Sequence, residues 1–331
     1  MSETLNAVVV EENEDGKPVA ELKELSISDL PDEDVLVDIN YSTLNYKDGL
    51  AVSGKGKICR KLPMVCGIDL AGTVVESKNE QWKSGDRVLV NGFGLSEVHW
   101  GGYAQKQRLK AEWLTRTPDA FTDEQAMAIG TAGYTAMLCV NAIQDHGMGP
   151  DAGKILVTGA TGGVGSVATM LLSKLGYEVV ASSGKADSRD YLLSIGASDI
   201  IDRAELARDP KPLEKEVWAG AVDSVGSKTL ATVLAQTQYE GIVAACGLAG
   251  GFDLSTSVMP FILRGVTLRG IDSVIAPQPR RQRAWADLAK LIDTNELEKV
   301  FRVEVMSNIK TLADQLMAGT VTGRIVVDVN K

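Results

Sequence analysis

The stretch Ile155-Leu-Val-Thr-Gly159-Ala-Thr161-Gly162-Gly163-Val164-Gly165-Ser-Val-Ala168 has the residue types and spacing to hold a phosphate. It begins as a continuous apolar run, turns through glycine and leaves as a small-residue helical pattern. That is the strand–turn–helix opening of a dinucleotide-binding βαβ unit. The turn leaving the strand needs free dihedrals at Gly159, and a phosphate must approach the backbone closely at Gly162 and Gly163. Gly165 lets the helix pack onto the strand, and the helix start offers unpaired N–H groups and its positive dipole end to a pyrophosphate. The six-residue fingerprint reads Ala160-x-Gly162-x-x-Gly165, with alanine in place of the first glycine.

The next turn selects the dinucleotide. After a helix over Val167–Leu175 comes a strand, Tyr177–Ala181, which runs into Ser182-Ser183-Gly184-Lys185, with Arg189 a turn later. An NAD enzyme places Asp or Glu at this strand end for the ribose 2′-hydroxyl. Hydroxyls, a glycine N–H and a nearby cation suit a 2′-phosphate instead, so NADPH is the expected cofactor. Lys185 and Arg189 have a second reading as solvated helix charges, and Arg203 either closes over the same phosphate or faces water.

Strand-like segments recur at Lys154–Thr158, Glu178–Ser182, Ile200–Ile201, Gly220–Ser224, Gly241–Ala245 and Val266–Gly270, mostly separated by helical stretches. This alternation predicts an α/β fold with a doubly wound parallel sheet. Ligands gather beyond the carboxyl ends of such strands, which places Asp223–Gly226 and Cys246-Gly247-Leu248 beside the cofactor. Thr122–Asn141 reads as a long helix bridging two domains, the default number for 331 residues. The amino-terminal third alternates in the manner of strands and is punctuated by turn signals.

The net charge of −10 argues against nucleic acid or an anionic membrane as the main partner. No uncharged apolar run reads as long enough to cross a bilayer, and Met1-Ser-Glu-Thr lacks a basic leader, so the cytosol is the expected location. The four cysteines lack CxxC spacing and the only histidines are His99 and His146, so no metal site is expected.

The order Asn45-Tyr46-Lys-Asp48, Gly67-Ile-Asp-Leu-Ala-Gly72, Gly85-Asp-Arg-Val88, Gly101-Gly-Tyr-Ala104, Gly130–Ala136 and Gly159–Gly165 resembles the medium-chain dehydrogenase/reductase superfamily over essentially the whole chain. His99-Trp-Gly-Gly102, Cys246–Gly251 and Met259–Arg264 narrow the resemblance to its YhdH-type acrylyl-CoA reductases. The resemblance implies a GroES-like catalytic domain over residues 1–125 with 278–331, a Rossmann domain over 126–277, and a homodimer. Zinc-dependent relatives carry Gly-His-Glu where this chain has Gly67-Ile68-Asp69, so a zinc-free member of the quinone-reductase and enoyl-reductase branch is implied.

The implied reaction passes a hydride to the β-carbon of acrylyl-CoA, giving propanoyl-CoA. It needs the reactants held together and the enolate oxygen stabilised. Asn45 and Tyr46 are the candidate catalytic residues. Asn45 either reaches the cofactor and substrate or caps the following helix. Tyr46 either donates from its phenol or is structural. Related enoyl reductases carry a tyrosine where this chain has Ser53–Lys57, so their mechanism does not transfer directly. The resemblance adds Tyr46, Ile262, Ser273 and Arg324 to the cofactor contacts; Arg324 has a second reading as a charge facing solvent. His99 is structural or sits at the cleft rim. Lys55–Lys61 and Arg280–Arg283 are the candidate cations for the phosphates of CoA, or are solvated faces. Competing readings are an NADPH:quinone or small-enone reductase, and an NADPH-binding sensor without turnover.

Overall fold

The computed structural model describes residues 3–185 and 187–331. Met1 and Ser2, on which the reading of the amino terminus rests, lie outside them. The chain divides into two compact units: one runs up to Thr131 and adds Ser273–Ala289 and Asp293–Lys331, and the other comprises Ala132–Asp272 with Lys290–Ile292.

The second unit is built on a parallel sheet in the order Asp199–Asp202, Val179–Ser183, Ile155–Val157, Trp218–Asp223, Thr237–Ala245, Thr267–Gly270. The apolar runs form its central strands because both faces are covered, and every residue of Ile155–Val157, Val179–Ser183 and Trp218–Asp223 is buried. Strand order reverses between Ile155–Val157 and Trp218–Asp223, so their carboxyl ends bound the crevice where a doubly wound sheet takes its ligand. The doubly wound sheet read from the alternation is present. The helix after the glycine turn starts at Gly163 and not at Val167. Its glycines are poor helix formers, yet packing on the sheet overrides propensity.

The first unit centres on Val35–Thr43, which pairs antiparallel with Asp69–Ser77 on one side and Arg324–Asp328 on the other. All five residues of Arg324–Asp328 are buried, so the far end of the sequence supplies an inner strand of this sheet. Arg87–Asn91 pairs with Asp69–Ser77, and Phe301–Val305 runs parallel to Arg324–Asp328. A smaller sheet orders Pro18–Ser26, Thr4–Glu12 and Met64–Val65. The core between these strands includes Val37, Ile39, Leu70, Val88, Tyr103, Leu109 and Val327.

The long helix runs Asp123–Asp145, interrupted at Gly130, whose φ of 51° and ψ of −159° are not helical. A Cβ there would lie 2.6 Å from Nη2 of Arg324, so only glycine allows both the turn and the close approach. The reading that no apolar run could cross a bilayer is corrected by this helix. Its length and mean hydropathy of 1.4 suffice, although 94% of the apolar window is buried inside the fold.

Candidate active site

In the second unit the glycine turn joins Ile155–Val157 to the helix Gly163–Lys174, with Gly162 as the N-cap. Gly162 has no side chain to satisfy the first turn, and the N–H groups of Gly163, Val164 and Gly165 have no acceptor within the helix. Gly165 sits so close beneath the turn that a Cβ would lie 2.4 Å from the Gly159 carbonyl oxygen. Thr161 is buried in the same turn. Across the switch point, Thr158 Oγ1 donates to Asp223 Oδ1 at 2.7 Å and Gly226 N donates to Asp223 Oδ2 at 2.8 Å. Burial pushes the Asp223 carboxyl up, against these two bonds. Cys246 N donates to the Asp223 carbonyl at 2.8 Å, and a Cβ on Gly247 would meet the Ser224 carbonyl at 2.4 Å. The glycine turn, Asp223–Gly226 and Cys246-Gly247 are thereby held together at the strand ends, while Leu248 projects, 59% exposed.

The residues read as a 2′-phosphate site also converge. Arg203 lies against Gly184, where a Cβ would be 2.3 Å from its Nε. Ser183 Oγ accepts from Lys185 N at 3.1 Å and from Ser188 Oγ at 3.0 Å, so the turn after Val179–Ser183 is a tight hydroxyl cluster with Ser182 buried behind it. Burial pushes the Lys185 ammonium down while Asp187 opposes the shift, a balance that an arriving phosphate would reverse. Hydroxyls, a glycine and two cations at this strand end fit a phosphorylated ribose.

In the first unit Asn45 caps the helix Tyr46–Ser53 and is buried. Its Nδ2 lies 2.9 Å from Thr43 Oγ1, 3.1 Å from Asp48 Oδ2 and 3.1 Å from Asp69 Oδ2. Its Oδ1 accepts from Arg324 Nη1 at 3.2 Å. Arg324 does not face solvent: it is buried and also donates to Thr43 Oγ1 and the Ala128 carbonyl. Burial pushes its guanidinium down, and Asp69 and Asp48 pull it back up. Tyr103, fully buried, donates to the Thr43 carbonyl at 2.9 Å, and burial first, then Asp48 and Asp69, push its phenol well above the usual range. Asp69, Thr43 and Tyr103 were not singled out as site residues in the sequence. Tyr46, next to this cluster, is 46% exposed.

Known proteins carry the same plan. The alcohol dehydrogenase GroES-like domain family matches residues 31–119 and the zinc-binding dehydrogenase family matches residues 163–293. Acrylyl-CoA reductase AcuI of Ruegeria pomeroyi is 50% identical over 327 residues, 98% of this chain and 99% of that protein. The chain belongs to the medium-chain dehydrogenase/reductase superfamily. Within it, the yhdH oxidoreductase of Salmonella enterica, solved in complex with NADP, superimposes with a TM-score of 0.96 at 49% identity, covering 98% of this chain and 99% of that one. Bacillus subtilis yhfP, solved with NAD bound, gives 0.95 at 39% identity over 99% of this chain and 100% of its own.

Although one matched family is described as zinc-binding, this medium-chain dehydrogenase/reductase does not fit zinc. Among the described residues no group of three or more His, Cys, Asp and Glu is placed to share a metal ion. Ile68 presents a buried apolar side chain, and the Asp69 carboxylate is committed to Thr43, Asn45 and Thr131 N.

One residue of the expected Arg280–Arg283 cation patch needs correction, while Arg280 and Arg283 are exposed. Arg281 is 2% exposed; its guanidinium donates to the carbonyls of Ala276, Asn91, Ser273 and Val274 and lies 3.9 Å from the centre of the Phe93 ring. It is an internal clamp, unable to reach a CoA phosphate, because the loops at Asn91 and Ser273 offer it carbonyls in place of water. Ser273 therefore enters the site region through a carbonyl already used. Lys55, Lys57, Arg60 and Lys61 remain exposed on the other basic loop. Ile262 lies on the exposed side of the helix Met259–Arg264. His99 packs edge-on against Trp113 at 4.6 Å, and burial pushes its imidazole down.

Proposed function

We propose that the protein reduces the activated double bond of acrylyl-CoA to propanoyl-CoA with NADPH. The observation that carries this reading is the 50% identity with acrylyl-CoA reductase AcuI over 98% of this chain and 99% of that protein. The glycine turn from Gly159 to Gly165 would hold the pyrophosphate, and Ser182, Ser183, Gly184, Lys185 and Arg203 would hold the 2′-phosphate. Cys246, Gly247 and Leu248 at the neighbouring strand end would face the nicotinamide. Bound NADPH supplies the hydride.

The remaining needs of the reduction fall to the chain. As hydride arrives at the β-carbon, negative charge builds on the thioester oxygen, and a donor aimed there is worth about 3 kcal/mol. The phenol of Tyr46, a residue 46% exposed, is the proposed donor. Asn45, immobilised by four partners, is the proposed neighbour that fixes the acyl group against it. The exposed Lys55–Lys61 loop is the proposed seat of the CoA phosphates. No metal or nucleophile is required by this chemistry.

The test is NADPH oxidation with acrylyl-CoA, crotonyl-CoA and a simple quinone side by side, repeated with NADH. Preference for acrylyl-CoA with NADPH is expected. Quinone turnover without acyl-CoA turnover would instead favour an NADPH:quinone reductase, the reading supported by the 40% identity with putative quinone oxidoreductase YhfP.

A homodimer and a cytosolic location complete the reading. Thr267–Gly270 ends the parallel sheet with one edge unpaired among the described residues, and Phe252, Val258, Ile262 and Leu263 are exposed in the same unit. Four free cysteines suit a reducing compartment. Light scattering of the purified chain tests the dimer.

A further inference from the structure

Two carboxylates, a guanidinium and a carboxamide share one buried cluster in the first unit. The Asn45 carboxamide has two hydrogens and meets three acceptors, so its orientation depends on the charge those acceptors carry. Thr43 spends its own hydroxyl hydrogen on Asp69, at 2.8 and 2.9 Å, and so accepts from Asn45 and Arg324.

Asp48 does more than accept from that amide. Its Oδ2 also accepts Asn45 N at 2.9 Å, and its Oδ1 accepts Ile68 N at 2.9 Å. Each carboxylate oxygen therefore already faces an N–H group. Oδ2 already receives two N–H groups and Oδ1 only one, so a proton seats on the remaining lone pair of Oδ1 and removes the negative charge that all three N–H groups face. The ionised form ties the backbone before the helix, the backbone at Ile68 and the Asn45 side chain to one point by charge-assisted bonds; the neutral form holds the same three groups more weakly. Burial first, and then Asp69, push the Asp48 carboxyl up to about 7, so both forms exist near neutral pH. The charged or titratable groups facing Asp48 are Asp69, Arg324, Tyr103, Cys59 and Cys66.

We propose that Asp48 is a positioning residue for the reduction, whose carboxylate fixes the Asn45 carboxamide and the start of the helix carrying Tyr46, and whose protonation loosens both. This rests on the reading of Asn45 and Tyr46 as the acyl-binding pair.

The test begins on the wild-type chain, so it does not depend on a variant folding. The side-chain amide pair of Asn45, identified in a 15N-labelled sample by its loss in Asn45→Ala, is followed by NMR about two pH units to either side of neutrality. A shift with a midpoint near that of Asp48, absent in Asp48→Asn, is expected. The companion measurement is kcat against pH with whichever acceptor, acrylyl-CoA or quinone, supports turnover. Expected is an acid limb with the same midpoint, a KM for NADPH that changes less than about twofold, and in Asp48→Asn a kcat lowered about tenfold with the limb gone. A wild-type Asn45 resonance that does not move with pH overturns the proposal whatever the substrate. So does an acid limb that persists unchanged in Asp48→Asn. Failure of acrylyl-CoA as acceptor, with the resonance and the quinone limb both titrating, overturns the substrate reading alone.

Discussion

Asp48 also makes the stability of the fold depend on pH in a calculable way. Its carboxyl stands at about 7 in the fold against an ordinary 3.8, and it is fully buried, so solvent screening does not discount the shift. One pH unit corresponds to about 1.4 kcal/mol, which makes ionisation of Asp48 roughly 4 kcal/mol costlier in the folded chain than in the unfolded one. The folded state binds this proton more tightly, so the stabilisation is fully present below the ordinary value and is lost as pH rises through about 7. The assay is urea unfolding of wild type and Asp48→Asn across that window. The replacement amide must face either Asn45 N or Ile68 N with its own hydrogens, which costs stability by an amount independent of pH. The difference between the two proteins should therefore slide against the wild type by about 1.4 kcal/mol per unit between the two values, to a total of roughly 4 kcal/mol. A difference that stays constant across the window would refute the assignment of the buried proton to Asp48.

Other perturbations test the rest of the site. Gly165→Ala sets a methyl 2.4 Å from the Gly159 carbonyl, so it should destabilise the chain by about 1–3 kcal/mol and weaken NADPH binding more than about tenfold, read by thermal melting and fluorescence titration. Arg203→Glu puts a carboxylate against Gly184 and should raise the KM for NADPH at least about tenfold while sparing NADH; equal effects on both cofactors would count against a 2′-phosphate site there. Charge reversal at Lys55, Lys57 and Arg60 should raise the KM for acrylyl-CoA and leave small enones unaffected, and an unchanged KM would move the CoA phosphates elsewhere. Arg281→Met removes the donor to the buried carbonyls of Ala276 and Asn91 and to the part-buried ones of Ser273 and Val274, the last still bonded to Phe93 N, and should cost about 3–5 kcal/mol by denaturant unfolding, with no selective effect on the KM for acyl-CoA.

What could be read from the chain depended on the range of the constraint. The strand, glycine turn and helix start were legible because their demands are local: they lie within fourteen residues, from Ile155 to Ala168, and each glycine answers a need of its neighbours. The polar strand end at Ser182–Lys185 was legible for the same reason. Arg281 was misleading, since three arginines on a polar helix have the composition of a solvated face; the carbonyls that bury one of them come from Asn91 and Ser273–Ala276, and no local pattern marks a backbone oxygen left unpaired by its own loop. The bond from Arg324 to Asn45 spans 279 positions, and Asp69 reaches Thr131 across 62. Asn45 and Asp48 looked like a helix cap and its turn, which they are, since Asp48 accepts the Asn45 N–H. The second carboxylate and the guanidinium turn that cap into a buried charge cluster; Asp69 arrives when Asp69–Ser77 pairs with one side of Val35–Thr43, and Arg324 when Arg324–Asp328 pairs with the other. A cap of this kind on a surface helix would leave its aspartate an ordinary acid; closing the sheet over it makes the same residue sensitive to pH near neutrality.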